Sequence, residues 1–204
     1  LWLVRDRLGV KPLYYSLTPN RIIFGSEIKA LLSLPSVKKS PNLESIYHYL
    51  TFLTTPSPMT MFSGIEKLPA GHWLKVNCDG TSFVNRYWDV WENVNPMQSI
   101  TDTSASEMVL SELERSIDYR KVSDVPVGIF LSGGIDSSAN AVLFSQADDK
   151  PVKTFTVGYK GTYRGHSNEN HFARLINDQI GSDQHEIFLS LDDLRDFMPK
   201  MIEF

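Results

Sequence analysis

Cysteine is almost absent from this chain of 204 residues: the single Cys78 cannot close an internal disulfide and lies far from the spacing of any zinc site. A reducing compartment suits such a chain, and the cytoplasm is the expected location. Long apolar runs are missing too. None approaches the roughly 20 residues that span a bilayer, and the N-terminus carries no basic-then-apolar leader, so no membrane association is expected. Basic runs are also lacking: 20 Lys and Arg are scattered among 24 Asp and Glu, the formal charge is −4, and nucleic acid is not an expected partner. Even the initiator Met is absent. The chain opens on "LWLVRD", a strand in full stride, and stops inside the helical pattern "MPKMIEF", so a fragment cut at both ends is expected. What is present, 42% hydrophobic and 22% charged residues, suits a soluble globular protein with a sizeable core.

The first half reads as antiparallel. Residues 1–5, 12–17 and 21–25 are rich in β-branched and aromatic residues, with "TPN" as a hairpin turn between the last two. "SEIKALLSL" then shifts to helical spacing with Ser26 as N-cap, and residues 43–53 form a second helix ended by "TTPSP". "HWLKV" and "SFVNRYW" are strands joined by "NCDG", whose Asp-Gly pair favours a tight turn. The stretch from about Trp91 to Ser104 is polar and aperiodic, a linker that divides the chain into domains at 1–95 and 96–204. Ser104 and Glu107 then form a capping box opening a helix with Met108, Val109, Leu113 and Ile117 on its buried face. Strands at 125–131, 152–158 and 185–189 alternate with helices at 135–147, 169–180 and from 191 onward, which predicts parallel α/β architecture.

The informative stretch is "DVPVGIFLSGGIDSSANAVLF", residues 124–144. In an open parallel sheet ligands bind outside the carboxyl ends of strands, and the apolar run ends where Ser132 begins. Gly133 and Gly134 allow backbone amides to approach an anion, and the following helix aims its free N–H groups and positive dipole end at the same place. Ser132, Ser137 and Ser138 add hydroxyl donors for phosphate oxygens. Asp136 would repel a phosphate chain unless a cation lay between them, which implies Mg²⁺ held by one carboxylate and phosphate oxygens. The Gly-Lys-Ser/Thr ending of a Walker A sequence is missing, so attack at the α-phosphorus with release of pyrophosphate is expected. The plainer alternative is a strand-to-helix turn capped by Ser and Asp, but a turn needs only one or two of these residues.

"LSGGIDSS" resembles the pyrophosphate loop of ATP pyrophosphatases, and "SDVPVGIFLSGGIDSS" resembles glutamine-hydrolysing asparagine synthetases. "RDRLGVKPLYY", "FGSEIKALL", "GIEKLPAGH" and "RYWD" resemble, in the same order, the back half of that family's glutaminase domain. The resemblance implies an α/β and α+β chain. Residues 1–95 would be the C-terminal part of an antiparallel N-terminal-nucleophile glutaminase domain (glutamine amidotransferase type 2). Residues 96–204 would start a Rossmann-like parallel ATP-pyrophosphatase domain of the adenine nucleotide alpha hydrolase type. It implies a ligase that makes asparagine from aspartate, ATP and glutamine through β-aspartyl-AMP, with a homodimer as the candidate assembly. Carried over, Leu131 and Val157 would meet the nucleotide through main-chain groups, Ser132 to Ser138 would hold pyrophosphate, and Asp136 would bind Mg²⁺. The family's nucleophile is an N-terminal cysteine; position 1 here is leucine, and Cys78 reads as a surface thiol, so this chain is not expected to hydrolyse glutamine alone. The resemblance places the second nucleotide-facing loop and most of the aspartate pocket beyond Phe204, so the chain is not expected to complete synthesis. Alternatives are a relative acting on another carboxylate, such as a β-lactam-forming synthetase, and a non-catalytic nucleotide-binding module.

Other conspicuous residues have plain readings beside functional ones. Glu169 matches a position that is often Glu in related sequences, yet helix-start electrostatics explains it equally well. His48, His72, His166, His171 and His185 share no metal-like spacing. Arg5 and Lys11 are candidates for a domain border or for solvated charges, and Tyr87, Trp88 and Trp91 for an aromatic seam.

Overall fold

The computed structural model describes residues 1–94, 100–146, 151–161 and 170–203. The chain divides into two compact units, Leu1–Pro96 and Met97–Phe204, and mixes antiparallel with parallel sheets.

The first unit holds two antiparallel three-stranded sheets. In one, β1 (Trp2–Val4) pairs with β5 (His72–Val76), which pairs with β6 (Ser82–Arg86). In the other, β2 (Tyr14–Thr18) lies between β3 (Arg21–Gly25) and β4 (Glu66–Lys67). Alternation places Leu3, Tyr15 and Leu74 inward, where with Leu68 they form the core, while Trp2 and Val4 face out. The helices α1 (Ile28–Leu32) and α2 (Leu43–Phe52) lie between β3 and β4 in the chain. Ser26 does not cap α1: the N-cap position is Glu27, without a side-chain bond, so the helix begins one residue later than its hydroxyl would serve. In α2 the Asn42 side chain accepts from the Ser45 N–H at 3.2 Å. The β5–β6 turn carries Gly80 at φ +85°, and Cys78 is exposed there.

The second unit is a parallel sheet of β7 (Gly128–Phe130), β8 (Lys153–Tyr159) and β9 (Asp183–Leu189), in that order. Helices α3 (Asp102–Lys121), α4 (Ile135–Gln146), α5 (Asn170–Ile180) and α6 (Leu191–Glu203) alternate with the strands. Ile117 of α3 and Phe144 of α4 pack with Val152, and Leu131 packs with Ala141 of α4 and Ala173 of α5. Alternate residues of β8 are covered and uncovered: Thr154, Thr156 and Gly158 are buried, whereas Phe155, Val157 and Tyr159 are exposed. Gly158 has no room for a side chain, since a Cβ there would stand 2.7 Å from the Phe188 ring and closer still to the Asn170 amide.

In the second unit two further expectations are overturned. The capping box does not form: α3 starts earlier, Thr101 is the N-cap and accepts from Ser104 N–H at 3.2 Å, and Ser104 and Glu107 lie within the helix. The strand expected over 125–131 is only Gly128–Phe130, because residues 122–126 remain exposed outside the sheet and Pro126 has no N–H to give a ladder. Glu169 and His166 lie outside the described residues.

Candidate functional site

At the carboxyl end of β7 the chain passes through Leu131 and turns into α4. Leu131 is buried; its N–H donates to Phe155 O at 2.9 Å, which extends the ladder one residue past β7. Its carbonyl accepts from the Thr156 hydroxyl at 2.8 Å. The turn needs glycine, since Gly133 sits at φ +87°, where an L side chain is strained. The Ser138 N–H donates to Gly134 O at 3.0 Å and starts the helix. The amides just before it have no helical carbonyl behind them, so they and the helix dipole favour an anion here.

Hydroxyls tie this loop to itself. Ser132 N–H donates to Ser137 Oγ at 3.3 Å, and Ser137 Oγ–H donates to Gly134 O at 3.1 Å. Gly134 N–H donates to Ser132 Oγ at 3.3 Å, and the two serine oxygens are 3.0 Å apart. One proton pattern satisfies all of these if Ser132 Oγ–H donates to Ser137 Oγ. A phosphate oxygen taking the Ser132 proton would displace only that one bond.

Asp136 is exposed in the first turn of α4 and makes no ion pair among the described residues. Among those residues no group of three or more His, Cys, Asp or Glu is placed to hold a metal. One free carboxylate beside a loop that favours an anion is a donor set that fits Mg²⁺, which takes one or two protein carboxylates and completes its shell with water and phosphate oxygens.

Val157 lies at the same edge. In a parallel ladder the peptide groups of alternate residues face the same neighbour, so Val157, like Phe155, presents its N–H and C=O toward the β7 side. β7 stops at Phe130, and among the described residues no backbone bond reaches Val157 from that side. The structure thus brings Leu131, Ser132, Gly133, Gly134, Asp136, Ser137, Ser138 and Val157 to one sheet edge, with Ser132, Gly134 and Asp136 facing solvent. Leu131 has its N–H already engaged, which leaves only the carbonyl's second lone pair for a ligand. Thr156, which holds that carbonyl, is the residue sequence reasoning missed. It reads as ordinary strand filling in "TFTVGY".

In the first unit Arg5 is engaged within its own unit. Its guanidinium donates to the carbonyls of Lys11 (2.9 Å), Leu68 (2.7 Å) and Gly9 (2.7 Å). Asp6 accepts from the N–H groups of Val10 and Lys11, which hold its carboxyl below the usual carboxylate range. "RDRLGVK" is therefore folded on itself by these bonds. In "RYWD", Arg86 donates to Asp89 at 2.6 Å and to Glu92 at 2.5 Å. Tyr87 donates its hydroxyl to Arg5 O at 2.7 Å, and Trp91 is exposed. His185 stacks on Phe155 with ring centres 5.1 Å apart, His48 stacks on Phe52, and His72 Nδ1 lies 2.7 Å from Ala70 O.

Comparison with known proteins agrees with this layout. Residues 1–88 match the family model described as glutamine amidotransferase domain, and residues 108–204 match that described as asparagine synthase. The chain is 30% identical over 214 residues to asparagine synthetase [glutamine-hydrolyzing] 3 of Bacillus subtilis, covering 99% of this chain and 34% of the relative. It is 30% identical over 201 residues to a putative asparagine synthetase [glutamine-hydrolyzing] 2 of Methanocaldococcus jannaschii, covering 96% and 38%. Asparagine synthetase [glutamine-hydrolyzing] 1 of Bacillus subtilis is 33% identical over 160 residues, covering 78% and 24%. The chain thus spans a quarter to about two fifths of the length of these relatives. Two family models in the family's own order, and relatives matched over nearly all of its residues, show that the chain belongs to the glutamine-hydrolysing asparagine synthetase family.

Proposed function

We propose that this chain serves an ATP-dependent carbon–nitrogen ligase that makes asparagine from aspartate with ammonia from glutamine, through β-aspartyl-AMP, releasing AMP and pyrophosphate. Residues 1–95 are the later part of a glutaminase-type domain, and residues 96–204 begin a Rossmann-like ATP-pyrophosphatase domain. The observation that carries the reading is the 132–138 loop: left-handed at Gly133, open to solvent, at the carboxyl edge of a parallel sheet and leading into α4.

The loop amides and the hydroxyls of Ser132, Ser137 and Ser138 hold the β- and γ-phosphates. The free peptide edge of Val157 and the Leu131 carbonyl receive the adenine. Asp136 would hold Mg²⁺, and the ion would supply positive charge to offset that of the phosphates. Orientation is this chain's main contribution, since attack on the α-phosphorus requires the aspartate carboxylate and the leaving pyrophosphate in line. The enzyme works in the cytoplasm, with a homodimer as its proposed assembly.

Pyrophosphate exchange into ATP, run with a panel of carboxylic acids on the protein encoded by the complete gene, tests this reading. Exchange with aspartate alone is the expected result. Exchange with a different acid assigns another acceptor, and ATP binding with no exchange reduces the loop to a binding module.

A further inference from the structure

Thr156 is 2% exposed on the helix-covered face of β8, a position that packing alone would fill with valine. Its hydroxyl instead crosses to the neighbouring strand and donates to the Leu131 carbonyl at 2.8 Å. The N–H of that same peptide group, on Ser132, donates to Ser137 Oγ at 3.3 Å. Because a peptide group is planar, holding its C=O from β8 and its N–H from α4 fixes the orientation of the plane where strand becomes loop. Ser137 passes the constraint on through its bond to Gly134 O, and Gly134 N–H returns it to Ser132 Oγ.

The hydroxyl has a second effect. In an extended ladder the Leu131 carbonyl would take the Val157 N–H. Thr156 takes that place on the carbonyl, and among the described residues no backbone bond reaches the Val157 N–H.

We propose that Thr156 is a positioning residue for the anion loop: it clamps the Leu131–Ser132 peptide so that the loop amides and the Val157 edge are set before ligand arrives. This rests on the nucleotide reading above.

The test uses the protein from the complete gene as wild type, as Thr156→Val, which keeps the shape and deletes the donor, and as Thr156→Ser, which restores it. Amide hydrogen exchange is followed over residues 131–138, and KM for ATP is separated from kcat in pyrophosphate exchange. In the valine variant loop exchange and KM are each expected to rise roughly fivefold, the size of one net hydrogen bond, with kcat within about twofold. The serine variant returns both to near wild type. Loop exchange equal in wild type and valine variant overturns the clamp, as does an unmoved KM in an enzyme that turns over. If the valine variant does not fold, Thr156→Ala is read in the same way. A wild type that binds no ATP, with a valine variant that still loosens the loop, upholds the clamp and overturns the nucleotide reading instead.

Discussion

Replacing Gly133 with alanine sets a definite amount of strain against the loop. At φ +87° a side chain costs about 1–3 kcal/mol. Alanine also restricts the unfolded chain, which offsets about 0.4–1 kcal/mol. A net penalty of about 1–2 kcal/mol remains. If the Thr156–Leu131 and Ser132–Ser137 bonds hold the loop rigid, the whole penalty appears as lost stability, and ATP affinity changes little. If the peptide rotates to relieve the strain, the amides swing off the anion site and the dissociation constant for ATP rises by about 5- to 30-fold. Urea unfolding and a fluorescent-ATP titration on the same variant measure both parts, and their sum should recover the penalty. Unchanged stability together with unchanged affinity would refute the reasoning, since it would mean that the left-handed turn is not required.

Three further outcomes are expected. Asp136→Asn should abolish Mg²⁺-dependent pyrophosphate release while the circular dichroism spectrum stays that of wild type; unaltered turnover removes this carboxylate from the mechanism. Arg5→Met deletes three donors to backbone carbonyls, one of them on the fully buried Leu68. At about 0.5–1.5 kcal/mol net per bond, the first unit should lose about 2–4 kcal/mol in urea unfolding, and a loss below about 0.5 kcal/mol would contradict a structural role for these Arg5 bonds. Tyr15 donates to Glu66 at 2.5 Å, and burial, then the Glu66 carboxylate, push its pKa above the ordinary value of 10.0. Above pH 10 the unfolded chain therefore releases this proton first while the folded chain keeps it. The contribution is full below that pH and declines as pH rises further. Tyr15→Phe should flatten that part of the stability profile, and an identical slope in both proteins counts against the bond.

Local patterns carried different amounts of information. Helix α2 was legible because "TTPSP" follows it closely, and the structure adds the Asn42 cap. The start of α3 was not, because "SITDTS" offers several cap-competent side chains within a few residues and periodicity does not choose among them; the backbone uses Thr101. Strand β4 has only two residues, too few for any period, and exists because β2 supplies a partner. β7 was overestimated for the converse reason: residues 125–127 look apolar but, among the described residues, have no strand beside them.

The candidate phosphate loop was legible in the sequence itself. Its glycines, serines and aspartate lie within seven residues of chain, and a strand before and a helix after suffice to place them. The order of the two domains was likewise written in linear motifs. Only tertiary structure decided which distant groups hold those motifs in shape: Thr156 on a carbonyl 25 residues away, and Arg5 on one 63 residues away. Such bonds depend on strand register and on the face to which a side chain turns. Those follow from the packing of the whole unit, which no short window of residues contains.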